Sequence, residues 1–132
     1  MVEPDDTLAL NSNTSITSKL GDEEIYFSYK VQKYSRGSIG LFSRNQDRII
    51  MVTDHAFYNL DGAEIKRRVR LEDLYGITVS KLSNQFIIHG GLNEYDFLYI
   101  SPDKKKLLKL YKVHIKQRKE KIYYFVKNQK GI

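Results

Sequence analysis

The sequence predicts a mainly β domain in which seven short antiparallel strands precede one carboxy-terminal α-helix. Between residues 24 and 100, apolar or aromatic residues alternate with polar ones in short runs that turn residues separate. This period of two is typical of half-buried strands. After Ser101 the apolar period changes to about 3.6, which indicates an amphipathic helix. The length of 132 residues fits one domain.

The first strand has Ile25, Phe27, Tyr29 and Val31 on one face and is followed by a loop expected over residues 33–47. Asp61-Gly62 is a hairpin signal because glycine adopts positive φ without steric cost. A single helical turn is expected over residues 71–74. The six remaining strands are expected at 48–53, 56–60, 64–70, 75–80, 85–89 and 94–100.

Ser101 is a good N-cap and Pro102 suits the first helical position, so a helix should run from there to about Glu120. Its apolar stripe consists of Leu107, Leu110, Tyr111, His114 and Ile115. Residues 122–126 form either a last strand or an extended tail. Strands closed into a barrel or sandwich, with one helix capping the open end, are the pleckstrin-homology-like architecture. We expect that domain to span residues 23–128.

Residues 1–22 are polar, lack periodicity and are expected to form a flexible acidic leader. The net charge is −4 over the first thirty residues and +10 over the remainder. A basic body predicts an acidic partner, which is a membrane surface, a nucleic acid or an acidic protein.

Several classes of protein are disfavoured. The absence of cysteine excludes disulfides and thiolate zinc sites, and no run reaches the roughly 18 apolar residues of a membrane span. The three histidines lack metal-ligand spacing, and we find no phosphate-binding loop or nucleophile elbow. We therefore expect neither enzymatic activity nor a catalytic residue, a metal or a cofactor. The expected location is cytoplasmic, peripheral at membranes.

Three stretches resemble the tail homology domain of class I myosins, a pleckstrin-homology variant. Val31 to Gly37 resembles the family's V-x-K-Y-x-R-x-G motif at the end of the first strand. Arg48 to Tyr58 resembles its basic-led L-L-L-T-x-x-A strand pair. Leu74 to His89 resembles L-x-G-I-S-V-S-x-L-S-D-x-x-F-V-L-H, the longest and most specific of the three.

The resemblance implies a membrane-targeting module that binds anionic phospholipids, phosphoinositides in particular. It assigns headgroup contacts to Lys33 and to Arg48, with Arg44 as the alternative arginine. Arginine and lysine are the residues that suit phosphate oxygens. The candidate headgroup residues are Lys30, Lys33, Arg36, Arg44 and Arg48. Arg67 is a secondary basic contact. In the same loop, Ile39, Leu41 and Phe42 either insert at the membrane or pack on the domain.

Two other functions stay open at this point. The same fold serves as a protein-interaction module when its lipid site is lost, so a protein partner or a larger parent protein is the alternative to a lipid partner. Nucleic acid is an unlikely partner because the chain lacks a known binding motif. The lysines of the predicted helix form either a solvated face or a non-specific basic patch.

Overall fold

The structure, a computed structural model, describes residues 5–36, 43–91, 96–115 and 123–127. Within these ranges there are two helices, α1 (Thr14–Leu20) and α2 (Lys104–His114), with 3-10 turns at Leu10–Ser12 and Leu71–Asp73. The strands are β1 (Asp5–Asp6), β2 (Ile25–Arg36), β3 (Ser43–Thr53), β4 (Ala56–Asp61), β5 (Glu64–Arg70), β6 (Gly76–Ser80), β7 (Gln85–His89), β8 (Phe97–Ile100) and β9 (Tyr123–Lys127).

All nine strands belong to one sheet with the order β5-β4-β3-β2-β8-β7-β6-β9, and β1 pairs beside β2. The prediction of a mainly β fold with a carboxy-terminal helix is confirmed. The described residues contain two strands more than the seven expected. The additional strands are β1 and β9, which pair in parallel with β2 and β6, respectively. The expected barrel is not closed, since the hydrogen-bonded order among the described residues ends at β5 and β9.

The sheet is nevertheless strongly bent. β4 and β8 are three steps apart in the strand order, which is about 14 Å in a flat sheet. Yet the rings of Phe57 on β4 and Phe97 on β8 are 5.6 Å apart, and the Tyr99 hydroxyl donates to Asn59 Oδ1 at 2.9 Å. The inner face therefore encloses the main core. Helix α2 packs on that core through Leu107, Leu108, Tyr111 and Ile115.

The amino-terminal segment covers the outer face of β2, β3 and β4. Leu10, Ile16 and Leu20 are buried there in a second cluster. Their partners are Ile25, Met51, Ala56, Tyr58 and Leu60. The alternation predicts Ile25 on the face of Phe27, but Ile25 lies here because the register of β2 with β3 shifts between these two residues. The structure thus differs from the flexible leader expected over residues 1–22: its described residues, 5–22, form β1, a 3-10 turn and α1, because the strands beneath them are apolar on both faces.

The hairpin of β2 and β3 is longer than expected. Paired backbone continues to Arg36 and resumes at Ser43, so only residues 37–42 of the expected loop remain, and these lie outside the described residues together with the apolar side chains assigned there. Helix α2 begins at Lys104 with Asp103 as N-cap, although Ser101 still accepts from the Asp103 and Lys104 amides. The helix ends at His114, and residues 116–120 are not described.

A bulge changes the expected face of Ile65. The register of β4 and β5 shifts between Asn59 and Leu60. Ile65 therefore packs against the outer cluster, whereas Val69 lies in the inner core. The sequence alternation had placed both on one face with Arg67.

No helix in the described parts of the chain combines the length and the apolar character that a membrane crossing requires.

Candidate functional site

The antiparallel pairing of β2 with β3 places Lys33 and Arg48 on one face. Val31 is opposite Arg48, and Lys33 is opposite Gln46. Directly opposed residues share a face, and residues two apart on a strand do too. Since Val31 is buried in the inner core, both cations lie on the inner face, at its rim.

Arg48 is held largely by its own strand and by the β4–β5 turn. Its Nη2 donates to Gln46 Oε1 at 3.1 Å, and its Nη1 donates to the Asp47 carbonyl at 2.7 Å. Nη1 also lies 3.7 Å from Asp61 Oδ2. The side chain is only 14% exposed, and its buried Nε has no acceptor. The Nε–H of the guanidinium is therefore left without an acceptor after these contacts are made.

Lys33 is half-buried beside aromatic rings. Its Nζ lies 5.8 Å from the centroid of Phe97, and Tyr99 is its cross-strand neighbour on β8. Burial lowers the pKa of Lys33, and the charge of Arg48 lowers it further. Two like charges that are close together in a partly desolvated site repel each other. Such a pair is typical of sites that bind a ligand of the opposite charge.

Lys30 lies on the opposite face of β2 from Lys33. It is exposed on the outer face, as its phase predicts, and lines a groove of about 450 Å³. Arg48, Asp47 and Asp103 line the same groove, so its charge is mixed. Lys30 therefore belongs to a different surface from Lys33.

Arg36 and Arg44 lie at the end of the β2–β3 hairpin. Their backbones pair with Ser43 and Ser35, respectively, so they extend the sheet. Their side chains lie outside the described residues. The five predicted headgroup residues are thus divided between the inner face, the outer face and the hairpin end, whereas the sequence suggested one basic loop.

Arg67 also lies on the inner face. It is opposite Asn59 on β4, and Asn59 is opposite Ile50 on β3. Arg67, Asn59 and Ile50 thus form a cross-strand row of the inner face, and this row is next to the row that contains Arg48 and Val31. Arg67 is partly exposed and lies one strand beyond the Arg48–Asp61 pair.

Gln46, Asp61, Phe97 and Tyr99 were not identified from the sequence, although they surround the two cations. For Gln46, the one feature of the sequence that indicates a contact with Arg48 is its position two residues before that arginine. The others come from strands whose register the sequence does not specify. Among the described residues, no group of three or more metal-ligating side chains lies together.

Two solved structures have a similar fold. The hSac2 domain of the human phosphoinositide phosphatase Sac2 superposes with a TM-score of 0.65 at 12% identity, covering 94% of this chain and 90% of that one. A chain in the complex of human RhoA, its inhibitor and the DH/PH domain of human ARHGEF11 gives 0.53 at 10% identity, over 72% of this chain and 30% of that one. At these identities the likeness concerns the fold alone.

Sequence relatives are more informative. Myosin ID heavy chain of Dictyostelium discoideum is 31% identical over 99 residues, which cover 64% of this chain and 8% of the relative. Unconventional myosin-Ic of Aquarana catesbeiana is 32% identical over 78 residues, which cover 58% and 7%. The chain therefore corresponds to a small part of these myosins.

Residues 5–130 match the family described as "Unconventional myosin tail, actin- and lipid-binding". The match covers nearly the whole chain and includes the amino-terminal segment that packs on the outer face. It corresponds to a non-catalytic tail module of the myosin heavy chain. The chain belongs to this family, as a tail homology domain of class I myosins.

Proposed function

We propose that this domain docks on anionic membranes by binding a phosphorylated headgroup between Lys33 and Arg48. The observation that supports this most is the juxtaposition of the two cations at the rim of the inner face, where the guanidinium of Arg48 meets one exposed carboxylate, that of Asp61. A phosphate that displaced Asp61 would accept from Nη1 of Arg48 and neutralise both charges. The family's lipid-binding description agrees with this function.

The proposed site favours a phosphate over a single carboxylate for reasons of charge and solvation. The guanidinium of Arg48 already meets one carboxylate, Asp61, which is 49% exposed. Because Asp61 regains water readily when displaced, exchanging it for a doubly charged phosphate costs little. Lys33 then supplies a second contact from the neighbouring strand.

Binding should also change the protonation of Lys33. Its pKa is lowered by burial and by Arg48 in the free domain. A bound anion favours the charged form and raises that pKa. Affinity should therefore fall as the pH rises through the lowered pKa of Lys33.

Calorimetric titration with soluble inositol trisphosphate, together with vesicle sedimentation, tests the proposal. Anionic vesicles containing phosphoinositide should bind in a salt-sensitive way, since screening limits electrostatic reach to about 8 Å at physiological ionic strength. The soluble headgroup should bind the wild type and fail to bind the Lys33→Ala variant. Equal binding to neutral and anionic vesicles at low salt would overturn the proposal.

A further inference from the structure

Three rings form an aromatic cluster on the outer face near β9: Tyr75, His89 and Phe125. The centroids of Tyr75 and Phe125 are 6.3 Å apart with nearly parallel planes. The His89 ring is perpendicular to both, at 6.3 Å from Tyr75 and 6.1 Å from Phe125. Tyr75 is 48% exposed and Phe125 is 41% exposed.

The cluster has a fixed geometry. Thr78 Oγ1 lies 2.6 Å from His89 Nε2, and Asp96 Oδ2 lies 2.9 Å from Nδ1, so both ring nitrogens are engaged. The other Asp96 oxygen accepts from the Gly90 amide at 3.2 Å. Phe125 is placed by the parallel pairing of β9 with β6, where it lies opposite Thr78. The imidazole thus orients two exposed rings around it.

Exposed large hydrophobic side chains are concentrated at and beside the aromatic cluster. Within the described ranges, only four large hydrophobic side chains are exposed, which are Tyr75, Leu82, Phe125 and Val126. Two of them belong to the aromatic cluster, and Val126 follows Phe125 on the edge strand β9. Leu82 stands apart, in the turn between β6 and β7.

Strand register relates the cluster to the proposed headgroup site. β2 and β8 are antiparallel, so the end of β2 at Arg36 lies towards the start of β8 at Phe97. The start of β8 in turn pairs with the end of β7 near His89. Gly76, next to Tyr75, pairs with His89. Tyr75 and His89 therefore lie at the same end of the sheet as the β2–β3 hairpin. Leu82 lies at the other end of β6.

We propose that the aromatic cluster inserts into the interfacial layer of the bilayer on which the domain docks. This rests on the proposed function, because the cations bring the domain to the surface that the rings enter. A ring with a polar edge, such as that of Tyr75, suits the level of the headgroups, and Phe125 adds apolar burial beneath it. The cluster adds affinity that depends little on which anionic lipid is present.

The absence of tryptophan from the chain allows a direct test. Phe125→Trp introduces a single indole into the cluster, and Leu82→Trp introduces one at a more exposed apolar position at the other end of β6. Both variants are mixed with anionic vesicles whose acyl chains carry bromine, and bound protein is measured by sedimentation. Insertion by about 5–10 Å brings an indole within reach of the bromines.

We expect the fluorescence of bound F125W to be quenched and that of bound L82W to remain unchanged. Tyr75→Trp, in the same cluster, should behave like F125W and replaces it if F125W does not fold by circular dichroism. If the two cluster variants sediment with the vesicles but neither is quenched, the proposed insertion is overturned while lipid binding stands. Quenching of L82W alone has the same consequence. Failure of every variant and of the wild type to sediment overturns both proposals. A lipid-free blue shift of F125W that grows with protein concentration would show instead that this face pairs two copies of the chain.

Discussion

Arg48 Nη1 lies 3.7 Å from the Asp61 carboxylate, across the pair of strands that forms the rim of the inner face. Asp61 therefore competes with any phosphate for the guanidinium. Asp61→Asn should strengthen binding to phosphoinositide vesicles by up to about 1 kcal/mol, the usual limit for an exposed ion pair. Vesicle sedimentation measures this gain.

The matched control is Glu64→Gln in the same turn. Glu64 is exposed and pairs with Lys66 at 3.3 Å, away from Arg48. Removing either carboxylate changes the net charge equally, so both variants gain the same long-range attraction. If D61N binds no better than E64Q, the competition between Asp61 and phosphate does not exist.

The amino-terminal segment should contribute to stability. Ile16 on α1 is 1% exposed and packs in the outer cluster. Ile16→Ala should lower the free energy of unfolding by about 2–5 kcal/mol, as expected for a buried large-to-small change. Ser15→Ala on the exposed side of α1 is the control, and urea unfolding is the measurement. Equal midpoints for the two variants would restore the view that this segment is a passive leader.

Tyr58 should make the domain sensitive to alkali. Its hydroxyl lies 2.8 Å from Glu23 Oε2 and accepts from Arg68 Nε at 2.9 Å. Burial is the main cause that raises the pKa of Tyr58 to about 12. Because the unfolded tyrosine titrates near 10, the unfolded state loses this proton first. Stability is therefore fully present below about pH 10 and falls as the pH rises towards 12.

Tyr58→Phe removes this titration at the cost of about 1.5–3 kcal/mol, because the lost hydrogen bonds are to the charged groups of Glu23 and Arg68. The remaining tyrosines titrate in both proteins, so the comparison isolates Tyr58. Urea unfolding from pH 9 to 11.5 should show a smaller loss of stability in Y58F than in the wild type. Parallel losses would contradict the assignment.

Much of the fold could be predicted because strand alternation and turn residues are local signals. The layer formed by the amino-terminal segment over the outer face was not predicted, although one feature of the sequence indicates it. Ile49 to Val52 is a continuous apolar run, which is typical of a strand buried on both faces. Such a strand requires a second layer, and α1 supplies it. The period-two interpretation of β2–β5 considered only one buried face.

The candidate site was predictable only in part. The phase of β2 placed Lys33 inward and Lys30 outward, and the structure agrees. The contact of Arg48 with Asp61 depends on the register of β3 with β4, which no local pattern determines. The bulge near Leu60 likewise reversed the expected face of Ile65.

A comparison of two lysines on one strand tests the central claim most directly. Lys33 lies on the inner face beside Arg48, and Lys30 lies on the outer face. The measurement is the ratio of affinities for vesicles with a multiply phosphorylated phosphoinositide and for phosphatidylserine vesicles of matched charge. Lys30→Ala should weaken both affinities by about 1 kcal/mol and leave the ratio unchanged. Lys33→Ala should remove most of the preference for phosphoinositide, whereas an equal loss of both affinities in both variants would contradict a specific headgroup site.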